Sequence, residues 1–212
     1  MDKIQNIAII GGGGHSKVVV DIINIINTQR HINYNIIGYF DDDEKKDLYS
    51  DIPYLGEINR IRNRESTIYY VIAIGNIEIR RQIYKQYNKL HFISLVHPKS
   101  IISQSAIIEE GTVICAGAIV QPKVKIGKCC IINTNSNIDH ESIICDFVNI
   151  NPSATLCGNV LIGKNTIVGA NATIIEKIKI GECNIIGAGS VIIRDTNDHS
   201  KLVGVPGKLL NS

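Results

Sequence analysis

The sequence contains a histidine flanked by two carboxylates, in the order Asp139-His140-Glu141. The run before it, from 133 to 137, reads Asn-Thr-Asn-Ser-Asn and is unusually polar. A neighbouring carboxylate orients an imidazole and stabilises its protonated form, which is what a general base requires. A single outward-facing histidine is also a common surface residue, so the residues alone leave both interpretations open.

A glycine cluster near the N-terminus is a second candidate site. Gly11, Gly12, Gly13 and Gly14 follow the apolar run at 7–10 and precede an amphipathic stretch. The amides at a helix N-terminus bind phosphate groups. Gly11-x-Gly13 resembles a dinucleotide-binding fingerprint, but Ser16 stands at the third glycine position. A phosphate site and a purely structural turn are both compatible with this pattern.

The first 96 residues predict a small α/β sheet with parallel strands. Apolar runs indicate strands at 7–10, 35–40, 69–74 and 92–96. Apolar residues at helical spacing indicate helices at 17–27 and 77–88. We expect Arg80, Arg81 and Lys85 on the polar side of the second helix.

From Ile101 onward the sequence repeats every six residues. The second place of sixteen consecutive hexads, from Ile102 to Ile192, is Ile, Val or Leu, and the last place is mostly small. Neither a helix nor a twisted strand sustains a period of six over 96 residues. The pattern predicts a solenoid with flat faces, in which each hexad forms one face and one corner.

These hexads, among them Leu-Ile-Gly-Lys-Asn-Thr at 161–166, resemble those of the hexapeptide-repeat acyltransferases. The resemblance implies a left-handed parallel β-helix with three hexads per coil, so that residues 18 apart stack. Segments 11–17, 73–76, 97–98, 132–134, 139–141 and 204–206 are similar to bacterial sugar acetyltransferases. That branch includes sialic acid O-acetyltransferases and N-acetyltransferases of nucleotide-linked 4-amino-4,6-dideoxy sugars.

The resemblance assigns the catalytic roles. It implies that His140 is the general base, that Glu141 orients it, and that the Gly158 amide, one coil above, hydrogen-bonds the thioester carbonyl. Several family members carry a second histidine nine residues after the base, where this sequence has Asn149. Asparagine cannot shuttle a proton, so His140 is expected to act without that partner.

The resemblance also implies acetyl-CoA as co-substrate, no metal, and a homotrimer with the acyl site between two prisms. We expect domain 1–96 to bind the nucleotide sugar and domain 97–212 to be the β-helix with a C-terminal tail. The residues expected to contact acetyl-CoA are Asn133, Gly158, Ala170, Gly187, Ala188 and Lys208. Those expected to contact the acceptor are Gly11, Gly12, Gly13, Gly14, His15, Lys17, Asp41, Asp42, Gly75 and Asn76.

Composition narrows the partners. The 212 residues carry a formal charge of +2, which offers no broad basic field for nucleic acid or an anionic membrane. None of the six cysteines forms a Cys-x-x-Cys pair, which argues against a metal site and for buried reduced thiols. The N-terminus shows no secretory pattern, so a cytoplasmic location is expected.

The expected function is acetyl-CoA-dependent N-acetylation of the 4-amino group of a UDP- or dTDP-linked dideoxy sugar, for surface polysaccharide or glycan synthesis. The alternative within the same chemistry is O-acetylation of a sugar of the sialic acid type. A non-catalytic hexapeptide scaffold is disfavoured by the intact Asp139-His140-Glu141. A nicotinamide-dependent enzyme is disfavoured by the incomplete glycine fingerprint.

Overall fold

The chain folds as two units, Met1–Pro98 and Lys99–Ser212, in a computed structural model that describes residues 4–29, 33–46, 48–62 and 67–210. The division follows Pro98, close to the expected change of pattern after residue 96. Within the described ranges, neither of the two α-helices is long and apolar enough to span a bilayer.

The N-terminal unit is built on a parallel sheet of five strands in the order β3-β2-β1-β4-β5. The chain places β2 and β3 on one side of β1 and then returns to place β4 and β5 on the other. Such a reversal leaves a crevice at the carboxyl ends of the central strands. The elements are β1 (Ile4–Ile10), α1 (Gly14–Gln29), β2 (Asn33–Phe40), β3 (Tyr54–Gly56), a 3-10 turn (Ile58–Arg60), β4 (Ile68–Ile72), α2 (Ile77–Gln86), β5 (His91–Phe92) and β6 (Leu95–Val96).

The predicted parallel α/β unit is confirmed, and its differences from prediction are local. Strand β3 was not predicted, because a run of three residues is too short to show a hydrophobic pattern. The run at 92–96, predicted as one strand, forms β5 and β6. The placement of Arg80 on the polar side of α2 is wrong, because its side chain is only 1% exposed.

The C-terminal unit is a three-sided parallel β-helix. Between Ile101 and Ile192, strands on the same face pair in parallel at a spacing of 18 residues, as Ile119 pairs with Asn137 and Asn137 with Thr155. The predicted solenoid is therefore confirmed, with three hexads to a coil.

The strands of the three faces are two residues long, apart from one strand of the third face, Lys201–Val203, which has three. The first face holds β7 (Ile101–Ile102), β10 (Ile119–Val120), β13 (Asn137–Ile138), β16 (Thr155–Leu156), β19 (Thr173–Ile174) and β22 (Val191–Ile192). The second holds β8 (Ile107–Ile108), β11 (Lys125–Ile126), β14 (Ile143–Ile144), β17 (Leu161–Ile162) and β20 (Lys179–Ile180). The third holds β9 (Val113–Ile114), β12 (Ile131–Ile132), β15 (Asn149–Ile150), β18 (Ile167–Val168), β21 (Ile185–Ile186), β23 (Lys201–Val203) and the antiparallel β24 (Lys208–Leu209).

The hexad pattern follows from this geometry. The second place points into the prism, and from Ile114 to Ile192 every such side chain is buried. The fifth place turns the corner in a left-handed backbone conformation, with φ from +50° at Cys129 to +62° at Lys177 in non-glycine residues. Four of these corners are asparagines, a residue that tolerates this region better than most.

Candidate functional site

His140 stands at the corner that follows strand β13, and its backbone is held on three sides. The Asp139 carboxylate accepts a hydrogen bond from the His140 amide at 2.7 Å. The His140 carbonyl accepts from Asn159 of the next coil at 2.9 Å, and Glu141 donates to Pro122 of the previous coil at 3.0 Å. Asp139 is therefore occupied with the backbone, and the imidazole is presented by a rigid stack of coils.

The Glu141 carboxylate lies beside the imidazole. Its Oε2 is 3.6 Å from His140 Nδ1, and its Oε1 is 3.3 Å from Lys123 Nζ. Lys123 lowers the pKa of Glu141 below its usual value, and His140 adds to the effect. Glu141 is thus an ionised group next to a half-exposed imidazole, an arrangement suited to orienting a base and stabilising it once protonated.

Gly158 packs directly against the His140 ring. A Cβ at this position would lie 2.6 Å from both Cε1 and Nε2 of His140, so any side chain would displace the imidazole. In the described part of the chain the Gly158 amide donates to no other group. A free backbone donor therefore lies beside a half-exposed imidazole, which is the pairing that acyl transfer requires.

Of the polar residues before His140, those at 133–136 form the corner after β12, and Asn137 begins β13. Asn133 Oδ1 accepts from the Thr134 amide at 2.8 Å, so this side chain caps its own corner. Asn149, at the place of the family's second histidine, is 8% exposed.

The small residues expected to contact acetyl-CoA lie at a different edge of the prism from His140. Ala170 and Ala188 occupy equivalent places on successive coils at the end of the third face, where the Gly189 amide donates to the Ala170 carbonyl at 2.8 Å. Gly187 is a packing glycine, since a Cβ there would lie 2.7 Å from Val203 Cγ1. Lys208 is exposed in β24.

The second candidate site is a cleft of about 410 Å³ in the N-terminal unit, at the reversal of strand order. Its wall comes from the carboxyl ends of β1, β2 and β4 and from the starts of α1 and α2. It brings together seven of the ten residues expected to contact the acceptor: Gly11, Gly13, Gly14, His15, Asp41, Asp42 and Gly75.

The four glycines have different roles in this cleft. Gly11 adopts a φ of +112°, and a Cβ there would lie 2.7 Å from Ile74 Cγ1. The Gly12 amide donates to Asp41 Oδ2 at 2.7 Å, so it is committed to the protein. Gly13 and Gly14 would place a Cβ in open space. The part of the loop open to a ligand is therefore Gly13-Gly14.

The Asp41 carboxylate is engaged in hydrogen bonds within the protein. Burial alone would raise its pKa, but hydrogen bonds from the amides of Asp43 and Gly12 and from Lys46 outweigh burial and lower the pKa. Asp42 accepts from the Ile58 amide at 2.9 Å, which holds the 3-10 turn. Both carboxylates shape the rim of the cleft through backbone contacts.

His15 presents a buried polar atom. Its Nε2 has no hydrogen-bond partner among the described residues, although the side chain lines the cleft. Burial, reinforced by the nearby positive charge of Arg80, lowers the pKa of His15 from 6.5 to about 4. The imidazole is therefore neutral at physiological pH and keeps a ring nitrogen for a ligand.

Three other residues, two predicted and one overlooked, are not part of the cleft lining. Asn76 caps α2 by accepting from the Ile79 amide at 3.0 Å, and Lys17 is exposed on α1 outside the cleft lining. Ser16, at the third glycine position, donates to the carbonyls of Gly11 and Ala73 at 2.8 and 3.1 Å. Its bridging role was not predicted, although a buried serine in a fingerprint position was the available signal.

Two known families match this chain, one in each unit. The PglD N-terminal domain family matches residues 6–87. The bacterial transferase hexapeptide family, six repeats, matches residues 159–194.

The acetyltransferase domain of PglB from Neisseria gonorrhoeae FA1090 is 33% identical over 97% of this chain and 100% of its own, with a TM-score of 0.88. The chain belongs to the hexapeptide-repeat sugar acetyltransferases with a PglD-type N-terminal domain. The resemblance inferred from sequence is thereby confirmed. A structure of the PglB domain in complex with acetyl coenzyme A is 32% identical with the same TM-score of 0.88 and covers 98% of this chain and 100% of its own.

Two further family members show what related proteins bind. PerB from Caulobacter crescentus, in complex with CoA and GDP-perosamine, is 27% identical over 97% of both chains, with a TM-score of 0.88. UDP-N-acetylbacillosamine N-acetyltransferase from Bacillus subtilis (strain 168) is 38% identical over 53% of this chain and 52% of its own. The match thus spans about half the length of this curated relative.

Proposed function

We propose that the protein is an acetyl-CoA-dependent N-acetyltransferase acting on the 4-amino group of a UDP- or dTDP-linked 4-amino-4,6-dideoxy sugar, for surface polysaccharide or glycan synthesis. The contact between the His140 imidazole and Gly158, with the Glu141 carboxylate alongside, carries the proposal. It unites a base, an orienting carboxylate and a free amide donor at one corner of the β-helix.

The proposed reaction at this corner involves two proton transfers, both by His140. Acetyl-CoA supplies the acetyl group as a thioester. His140 takes a proton from the sugar amine as the nitrogen bonds to the carbonyl carbon, and the Gly158 amide donates to the carbonyl oxygen. The carbon–sulfur bond then breaks, and His140 returns the proton to the departing sulfur. Glu141 holds the imidazole in place and stabilises its charged form.

The acetyl-CoA site is proposed to lie between subunits of a homotrimer. Ala170 and Ala188 form a column of small side chains at one prism edge, and Gly187 and Lys208 lie on the same face. His140 lies at another edge, so the two sets meet only when a second prism packs alongside. Gly158 would complete the cofactor contacts from the His140 side, and Asn133 from the corner after β12, on the same edge as Ala170.

The N-terminal cleft is proposed to hold the nucleotide and diphosphate of the acceptor. The starts of two helices border the cleft, and helix N-termini favour anions. Gly13 and Gly14 leave their backbone open to close approach. Two of the family members above act on or bind nucleotide-linked amino sugars by name, which supports this class of acceptor. A cytoplasmic location fits the six free cysteines.

The direct test measures CoA thiol release with acetyl-CoA and a panel of UDP-, dTDP- and GDP-linked 4-amino sugars, with free sialic acid as the hydroxyl acceptor. We expect turnover only with nucleotide-linked amino sugars, and fastest with UDP or dTDP. Turnover with sialic acid alone would replace the proposal with O-acetylation. Absence of turnover with every acceptor would favour a non-catalytic scaffold.

A further inference from the structure

Arg80 is a charged side chain in the interior of the N-terminal unit. Among the described residues it is the largest of the fully buried side chains, at 1% exposure. Its Nη1 donates to the carbonyls of Ile74 and Gly75 at 2.7 and 3.1 Å. These residues form the turn between β4 and α2, and both line the cleft. The guanidinium thus sits behind the floor of the cleft.

Arg81, the next residue on α2, lies outside the interior and serves as a comparison. Arg81 is partly exposed and pairs with Glu78 at 2.8 Å, an ordinary ion pair one helical turn apart. Burying a guanidinium is costly, and an apolar side chain of similar length would fill the same space without that cost. The charge at position 80 therefore points to a use beyond packing.

The charges around His15 indicate that the role of Arg80 is electrostatic. The charged groups that line the cleft with His15 are Asp41, Asp42, Asp43 and Lys46, all from the end of β2. Behind them, Arg80 is the positive charge whose influence reaches the His15 ring. The rim of the cleft is thus acidic, while its floor carries a buried positive charge and two helix starts.

We propose that Arg80 is a positioning residue of this cleft: it fixes the Ile74–Gly75 turn and supplies the buried positive charge that draws a sugar-linked diphosphate to the cleft floor. The proposal rests on the nucleotide-sugar acceptor proposed above. Arg80 itself touches no substrate. It acts through the Ile74–Gly75 turn and through His15. Burial and, in addition, the charge of Arg80 keep His15 neutral, so that it serves as a hydrogen-bonding group for the ligand.

The test measures binding of UDP-N-acetylglucosamine, dTDP-glucose and GDP-mannose by calorimetry to the full-length protein. Their diphosphates carry no group that titrates between pH 5 and 8. Arg80→Met should weaken the best of the three by about tenfold or more, the scale of one lost charge-assisted interaction. Arg81→Met, the matched control, should stay within about twofold, because Arg81 pairs with Glu78 at the surface and lies outside the cleft lining.

The pH dependence of nucleotide-sugar binding distinguishes a positioning role of Arg80 from a role in packing alone. Removing Arg80 takes away one of the two causes that lower the pKa of His15. The acid-side inflection of nucleotide-sugar binding should therefore move to higher pH in Arg80→Met, and Arg80→Lys should restore the wild-type inflection with intermediate affinity. Acetyl-CoA binding should not change in any of these variants.

Several outcomes overturn the proposal: unchanged affinity in Arg80→Met, equal losses in Arg80→Met and Arg81→Met, or no wild-type binding of any nucleotide sugar. If Arg80→Met does not fold, Arg80→Lys decides: the shorter lysine sets its ammonium back from the Ile74 and Gly75 carbonyls, so binding must weaken at a wild-type unfolding midpoint. Wild-type binding without acetylation of any amino sugar would instead defeat the proposed reaction and leave the role of Arg80 intact.

Discussion

The two candidate sites each contain a histidine, and the two histidines are placed in opposite environments. His140 is half-exposed on a β-helix corner beside an ionised carboxylate. His15 lines the N-terminal cleft, with its Nε2 buried and within the influence of a guanidinium. A carboxylate stabilises a protonated imidazole and a guanidinium disfavours one. The same side chain thus lies beside an ionised carboxylate in one unit, and in the other it lies near a guanidinium and remains neutral.

The proposed function divides in the same way, with the chemistry on the β-helix and ligand recognition in the cleft. Variants near His140 should therefore lower kcat, and variants near His15 should raise the KM of the acceptor. Each prediction below tests that separation.

Replacing His140 should have the largest effect. His140→Ala should lower kcat by about 10²-fold or more, the scale of a lost general base, with little change in acetyl-CoA binding. Steady-state thiol release measures this. Lys164→Ala is the matched control, because Lys164 occupies the equivalent corner place on the next face. Near-wild-type turnover of His140→Ala would remove this residue from the mechanism.

Adding a methyl group at Gly158 should displace the imidazole without removing it. The new Cβ would lie 2.6 Å from His140 Nε2, and a misplaced base costs about tenfold to 10²-fold in kcat. Unfolding midpoints should confirm that the β-helix is intact. If Gly158→Ala keeps full kcat, the ring does not need its present position.

Blocking the glycine loop should affect the acceptor alone. Gly13→Val adds a side chain where the backbone has open space and no left-handed φ, so the fold should tolerate it. The nucleotide-sugar KM should rise by about tenfold as the backbone loses close approach to a phosphate. The acetyl-CoA KM should not change. A folded Gly13→Val with an unchanged acceptor KM would reduce the loop to a structural turn.

Neutralising Glu141 should have a smaller effect than losing the base. Glu141→Gln keeps the shape but removes the charge beside His140, so we expect kcat to fall by roughly fivefold to tenfold. Lys123→Met, which removes the other partner of Glu141, is the control and should change kcat less. A loss as large as that of His140→Ala would mean that Glu141 itself transfers a proton.

His15 should make stability depend on pH. Its folded pKa of about 4 lies below its unfolded value, so between the two the unfolded chain binds more protons. Stability should therefore fall as the pH drops from 6.5 to 5.5, by about 1 kcal/mol more in wild type than in His15→Gln. Urea unfolding at both pH values measures the difference. Parallel curves would show that His15 is exposed to solvent in the folded state.

The β-helix was the more predictable of the two units. Its second hexad place repeats without exception, so the period of six and the stacking of residues 18 apart followed from the sequence and its resemblance. The left-handed corner at the fifth place was not predicted, because Lys, Cys, Phe and Glu occupy it as well as Asn. Backbone geometry imposed by neighbouring coils overrides the preference of the side chain there.

In the N-terminal unit, the sequence predicted the loop at the cleft but not the buried contacts behind it. The positions of Gly11 to His15 were predicted from a strand, a glycine run and a helix. Arg80 was misplaced because helical spacing alone assigns charged residues to the solvent side. The inward contacts of Asp41 and Ser16 depend on loops brought together from distant parts of the chain, which no local pattern encodes.

The central claim is that the acetyl group goes to a nitrogen of a nucleotide-linked sugar. The most direct measurement incubates the protein with carbon-13-labelled acetyl-CoA and a UDP-4-amino-4,6-dideoxy sugar, beside its 4-hydroxy counterpart, and then treats both products with hydroxylamine. The label should enter the amino sugar alone and survive, because an amide resists hydroxylamine and an ester does not. Transfer of the label to the 4-hydroxy sugar in a hydroxylamine-labile form, with none to the amino sugar, would contradict the claim.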